Sequence, residues 1–188
     1  MSLISTLETA AKALEAAGVE YVIGGSFASS VWGRQRSTQD ADVAAWIDYS
    51  QLPFLRAALE PKLHFDELGA FESSGDFRAL QIVDPDSLDR IDLFVMPQDD
   101  YSRERLNRRR WIDVGASRLP FSSPEDVILL KLRWYELGAR VSDRQWNDIL
   151  QVLQVQGDSL DSDYLDRWAE FFGVEPLLNE ARNQATSS

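Results

Sequence analysis

Asp40 and Asp42 open an apolar run, Asp40-Ala41-Asp42-Val43-Ala44-Ala45, and at i and i+2 on a β-strand both carboxylates point to one face of the sheet. So placed, they form an oxygen clamp for a divalent cation. Upstream, Gly24-Gly25-Ser26 leads into a short segment closed by Gly33. This predicts a glycine turn opening a helix, whose free N–H groups and positive dipole end suit a phosphate. A third carboxylate, Asp92, interrupts Ile91, Leu93, Phe94 and Val95; alone, it is equally well read as an exposed strand position beside Arg90. If the two strands are neighbours, the three aspartates can hold two magnesium ions about 3.5–4 Å apart. Such a pair activates an attacking hydroxyl and neutralises leaving phosphate oxygens.

Lys131 interrupts Val127-Ile128-Leu129-Leu130 and Leu132 in a segment that is apolar almost all round. An unpaired charge there is expensive, so the ammonium needs an anion or must snorkel at the helix edge. Asp148 flanks the apolar face of Trp146, Ile149, Leu150 and Leu153. It either orients Lys131 or Arg144 or caps the solvent side. The basic stretch Arg103 to Arg110 has two readings as well, a solvated helix face or a surface for a phosphate-rich substrate.

These residues need elements to hold them. Leu3, Leu7, Ala10, Leu14 and Ala17 recur at helical spacing, predicting a helix over 2–17 that stops at Gly18. Tyr21-Val22-Ile23 reads as a short buried strand, 26–32 as a helix, 40–47 as a strand and 50–59 as a helix with Pro53 in its first turn. Two β-rich runs, 77–83 and 90–96, flank Asp84-Pro85-Asp86-Ser87 and predict an antiparallel hairpin. From Ser123 the pattern turns helical. Ser123-Pro124-Glu125-Asp126 is an N-cap with proline at the first helical position, and Ser142-Asp143-Arg144-Gln145 is a capping box. Two further helices are expected over 161–172 and 174–183. The expected class is α+β: a small mixed or antiparallel sheet flanked by helices over 1–120, then a C-terminal helical bundle over 121–188.

Composition limits the chemistry. The chain of 188 residues is 44% hydrophobic, enough for a sizeable core. It has no cysteine and one histidine, His64, which excludes disulfides, thiolate metal sites and His-rich zinc clusters. Any divalent metal must be held mainly by oxygen, which suits magnesium. A net charge of −12 disfavours broad adhesion to nucleic acid or anionic membranes. With no long apolar span and no signal-peptide pattern at the N-terminus, the expectation is a soluble cytoplasmic protein without a membrane partner.

The order Gly24-Gly25-Ser26, helix, Asp40-x-Asp42, then Asp92 on a later strand resembles the nucleotidyltransferase superfamily with the polymerase-β-type fold. The approach Arg36-Ser37-Thr38-Gln39-Asp40-Ala41-Asp42 is similar to the Arg-x-Thr-x-Asp-x-Asp variant of small bacterial members, including abortive-infection (AbiE-type) toxins. The segments 123–132 and 143–149 resemble that group's helical elements, so the likeness spans about 21–153. It implies that Asp40, Asp42 and Asp92 carry the metals and the catalysis. It further implies that Gly24, Gly25, Ser26, Arg36, Thr38, Lys131 and Asp148 serve the nucleotide. The implied reaction moves NMP from an NTP to a hydroxyl of a small molecule, a protein or an RNA end, with magnesium and release of pyrophosphate; a cognate antitoxin is an implied partner. The alternative is a non-catalytic, antitoxin-like or regulatory protein that keeps the fold. Many relatives carry an arginine soon after the Gly-Ser pair, whereas Phe27 to Trp32 contains none; Arg34 and Arg36 are the next cations along.

Overall fold

The computed structural model describes residues 2–35, 38, 40–60, 62–66 and 78–186. Among them the helices are α1 (Leu3–Ala16), α2 (Gly25–Trp32), α3 (Leu52–Leu59), α4 (Asp100–Asn107), α5 (Pro124–Leu137), α6 (Asp143–Gln156), α7 (Ser162–Phe172) and α8 (Glu175–Thr186). The strands are β1 (Glu20–Ile23), β2 (Asp40–Trp46), β3 (His64–Asp66), β4 (Arg78–Val83), β5 (Arg90–Val95), β6 (Arg110–Val114) and β7 (Ser117–Phe121). The chain divides into two compact units, Met1–Gly24 with Thr38–Phe121, and Gly25–Ser37 with Ser122–Ser188. The fold is α+β, as the residue patterns imply.

The first unit is built on one sheet in the order β3-β4-β5-β2-β1-β7-β6. The pairs β2·β5 and β1·β7 are parallel and the others antiparallel, so the sheet is mixed. Register sorts its two faces. Tyr21, Ile23, Ala41, Val43, Ala45, Leu80, Ile82, Ile91 and Leu93 share one face and are all buried. Helix α1 packs across β1, β2, β5 and β7, with α3 beside it. The Tyr21 hydroxyl donates to Glu15 of α1 at 3.0 Å. Burial, with that carboxylate adjacent, pushes the Tyr21 phenol above its usual range. On the opposite face Val22, Ala44 and Met96 pack with Leu106 of α4 and with Trp46, which leaves the Asp40 end of β2 beyond that apolar cover.

The expected hairpin is β4 and β5, and Asp84 shapes its turn. Its carboxylate accepts the N–H groups of Asp86 at 2.9 Å and Ser87 at 3.3 Å and the Thr6 hydroxyl at 3.3 Å. Leu88 adopts φ +61° within this turn, a conformation disfavoured for a branched side chain and held here by the surrounding bonds. A second hairpin, β6 and β7, lies in a stretch where the residue pattern signals no strand. It turns at Gly115, whose φ of +61° suits glycine. Charged side chains and Pro120 mask its strand signal, because β6 is an edge strand whose outer positions stay solvated.

The second unit is helical. Helix α2 packs against α5 and α6, α6 against α8, and α7 against α5 and α8. The Trp32 indole donates to the Ser122 carbonyl at 2.7 Å, and the Gln156 amide donates to the Trp32 carbonyl at 2.7 Å. Both predicted caps form: the Ser123 hydroxyl accepts the Asp126 N–H, and the Ser142 hydroxyl accepts the Gln145 N–H. No helix among the described residues is long and apolar enough to cross a membrane.

Candidate active site

Strands β2 and β5 are parallel neighbours, with Asp40 opposite Arg90 and Asp42 opposite Asp92. Paired residues in a sheet face the same side, so the two aspartates of β2 and the lone one of β5 share a face. Gln81 of β4 lies opposite Asp92. Its amide donates to Asp92 Oδ1 at 3.1 Å. On the other flank the Gly24 N–H donates to the Asp42 carbonyl at 2.8 Å. One row thus runs from Gln81 through Asp92 and Asp42 to Gly24.

The next row holds Asp40 and Arg90. The Thr38 hydroxyl donates to both the carbonyl and Oδ1 of Asp40, each at 3.0 Å, which steers that carboxylate. The Arg90 guanidinium lies 3.7 Å from Asp40 Oδ2 and 3.6 Å from Asp92 Oδ1. Asp40 and Arg90 side chains are 43% and 48% exposed, and Asp92 is 22% exposed, so solutes reach this end of the sheet. Sequence reasoning treated Arg90 only as a neighbour of Asp92 and passed over Gln81. Their signal is positional: Arg90 is two residues before Asp92, and Gln81 is a polar side chain inside a β-rich run.

The donor chemistry fits a hard divalent cation, since the set is all carboxylate oxygen and already attracts a guanidinium. Among the described residues, however, no three acidic or imidazole groups are gathered as a ready-made cluster.

Gly25, Ser26, Lys131 and Asp148 belong to the helical unit. Gly25 takes φ +54° at the start of α2, a left-handed entry that a Cβ would resist. The Ser29 and Ser30 hydroxyls bond back to the Gly25 and Ser26 carbonyls at 2.8 and 3.0 Å, which occupies them within the helix. Lys131 has found its anion: Nζ lies 2.9 Å from Asp148 Oδ2, with the two side chains only 11% and 5% exposed. That resolves the open reading of Asp148 toward Lys131. Arg34 is exposed, and Arg36 lies outside the described residues.

The basic stretch after Arg103 is not a single helix face. Helix α4 ends at Asn107 and Arg110 begins β6. Arg103 stacks on Trp46 at 4.0 Å and donates to Glu20 at 2.8 Å, Arg109 donates to Glu20 at 3.2 Å, and Arg105 is buried. The Arg103 hydrogen bond foremost, with Arg109 adding to it against the opposing effect of burial, holds Glu20 below the usual carboxylate range.

No protein-family model matches the sequence, and no curated protein matches it. Solved structures do match in shape. The solution structure of the antibiotic-resistance factor ANT(2'')-Ia superposes over 96% of this chain and 96% of its own, with a TM-score of 0.60 and 10% identity. An antigenic nucleotidyltransferase-like protein from Paracoccidioides brasiliensis matches over 97% and 92%, with a TM-score of 0.56 and 16% identity. The lincosamide antibiotic adenylyltransferase LnuA, in a lincomycin-bound crystal structure, matches over 80% and 96%, with a TM-score of 0.51 and 12% identity. The polypeptide thus has the fold seen in nucleotidyltransferase structures.

Proposed function

We propose that this protein is a magnesium-dependent nucleotidyltransferase that moves NMP from an NTP to a hydroxyl of a small-molecule acceptor and releases pyrophosphate. The observation that carries the reading is the placement of Asp40, Asp42 and Asp92 on one face of the parallel pair β2·β5, with Asp42 opposite Asp92. Magnesium held by these three aspartates, two ions in this reading, would acidify the acceptor hydroxyl and neutralise charge on the departing pyrophosphate. The acceptor oxygen forms a bond to the α-phosphorus as the bond from that phosphorus to the bridging β-phosphate oxygen breaks, and the hydroxyl proton leaves to a carboxylate of the aspartate set or to water.

The chain's own groups divide the remaining work. Thr38 fixes the orientation of Asp40, and Gln81 that of Asp92. The backbone N–H groups from Gly24 to Ser26, with the Ser26 hydroxyl, receive phosphate oxygens at the N-terminus of α2. Lys131, oriented by Asp148, and Arg36 supply positive charge to the triphosphate. A small acceptor is favoured over an RNA end by the net charge of −12, which repels a polyanion. It is also in keeping with the neighbours in fold, since ANT(2'')-Ia crystallises in complex with adenylyl-2''-tobramycin and LnuA with lincomycin.

The test is incubation with labelled NTPs, magnesium and a panel of hydroxylated small molecules, following labelled adduct and pyrophosphate. The expected result is adduct plus pyrophosphate, both lost in Asp42→Asn. Labelling that persists in Asp42→Asn, or release of inorganic phosphate in place of pyrophosphate, would overturn the proposal.

A further inference from the structure

Arg90 is the cation that the sheet register places beside two of the three aspartates, and its charge poses a specific problem. It faces Asp40 across the β2·β5 pair and precedes Asp92 by two residues on β5, so all three share one face. Its guanidinium is about equally far from both carboxylates, at 3.7 and 3.6 Å. These separations are those of loose ion pairs rather than hydrogen bonds, and the side chain is 48% exposed. A divalent cation and this guanidinium therefore compete for the same oxygens, and the guanidinium is the weaker holder.

A second demand falls on the same face. A triphosphate approaching three carboxylates meets like charge, and Arg90 is the cation that the sheet register sets beside them. A guanidinium displaced from Asp40 and Asp92 remains anchored on β5 and presents a planar fork suited to phosphate oxygens. We infer that Arg90 is a positioning residue with two alternating partners: it holds Asp40 and Asp92 as an internal counter-cation, yields them to magnesium, and then binds a phosphate oxygen of the incoming nucleotide. This inference rests on the nucleotidyltransferase reading.

Calorimetric titrations separate the two. Magnesium alone is titrated first into wild type, Arg90→Ala and Arg90→Lys, then magnesium tripolyphosphate at saturating magnesium, which probes the phosphates without choosing a base. Arg118→Ala, an exposed arginine paired with Asp113 at the β6·β7 edge, controls for loss of charge in general. The expected result for Arg90→Ala is tighter magnesium binding by about two- to fivefold and weaker tripolyphosphate binding by about tenfold. Arg90→Lys should hold magnesium affinity near wild type and recover only part of the phosphate binding, since it keeps the charge and loses the fork. Opposite signs in Arg90→Ala, absent from Arg118→Ala, support the inference. Same-sign changes, no change, or equal changes in Arg118→Ala overturn it while leaving the function reading intact. Failure of wild type to bind either probe overturns the function reading itself.

Discussion

Asp42 on β2 and Asp92 on β5 stand opposite each other in a parallel pair, flanked by the Gln81 amide on one side and the Gly24 N–H on the other. Such pairing sets both carboxylates on the same face, and under the proposed function each contributes to holding magnesium. Loss of groups one shell removed from a metal costs about 10- to 100-fold in affinity or activity. Asp42→Asn and Asp92→Asn should each lower pyrophosphate release by more than about 100-fold, with far-ultraviolet circular dichroism unchanged. Retained activity in either variant would remove the aspartates from the chemistry.

The Lys131–Asp148 ion pair is buried within the helical unit, its side chains only 11% and 5% exposed. Removing one partner leaves an uncompensated charge in the helical unit, a loss of about 3–5 kcal/mol in comparable sites. Asp148→Ala should therefore destabilise the protein strongly in urea denaturation. The double variant Lys131→Met/Asp148→Leu should recover most of that stability, because neither charge is left behind. If Lys131 serves the triphosphate, activity will stay low in the stable double variant.

Asp84 carries a pH dependence. Backbone hydrogen bonding from Asp86 foremost, then from Ser87, holds its carboxyl below the ordinary value of 3.8, against the opposing effect of burial. A lowered folded-state pKa stabilises the protein fully above the unfolded value, and that contribution is lost as pH falls below 3.8 through the folded pKa. Asp84→Asn should thus be less stable than wild type at neutral pH, and the gap in melting temperature should narrow as the pH falls below 3.8. A constant gap would show that the turn depends on packing and not on the charge.

Arg103 provides the opposite kind of test. Its stacking on Trp46 and its bond to Glu20 are partly exposed, at 45% and 43% for the two side chains. Exposed pairs and cation–π contacts of this kind are worth about 1 kcal/mol or less. Arg103→Ala should shift the denaturation midpoint slightly and leave NMP transfer within about twofold. A large loss of transfer would return this arginine to a substrate-facing role.

Much of the fold was readable because its signals are local. The helical period of α1, the turn at Asp84 to Ser87 and the Ser123 and Ser142 caps involve residues within a few positions of each other. The β6·β7 hairpin and the short β3 escaped, since an edge strand keeps solvated, charged positions and lacks strong alternation. The Arg103–Arg110 stretch stayed open for a related reason: charge density alone does not say whether a guanidinium faces solvent or stacks on an indole. At the candidate site, the carboxylates stood out as polar residues within apolar runs, whereas Arg90 and Gln81 gained meaning only from their cross-strand partners.

What the chain determines by itself is residue chemistry and its local period: three aspartates at strand spacing, a glycine-serine turn before a helix, and a lysine that an apolar helix will not tolerate alone. Tertiary structure decided that β2 and β5 are parallel neighbours, that the Arg90 guanidinium lies near both Asp40 and Asp92, and that Asp148 answers Lys131. The physical reason is range. Helix and turn preferences act over a few residues, but parallel pairing and buried charge pairing join distant segments, and their outcome depends on which surfaces the whole chain buries together.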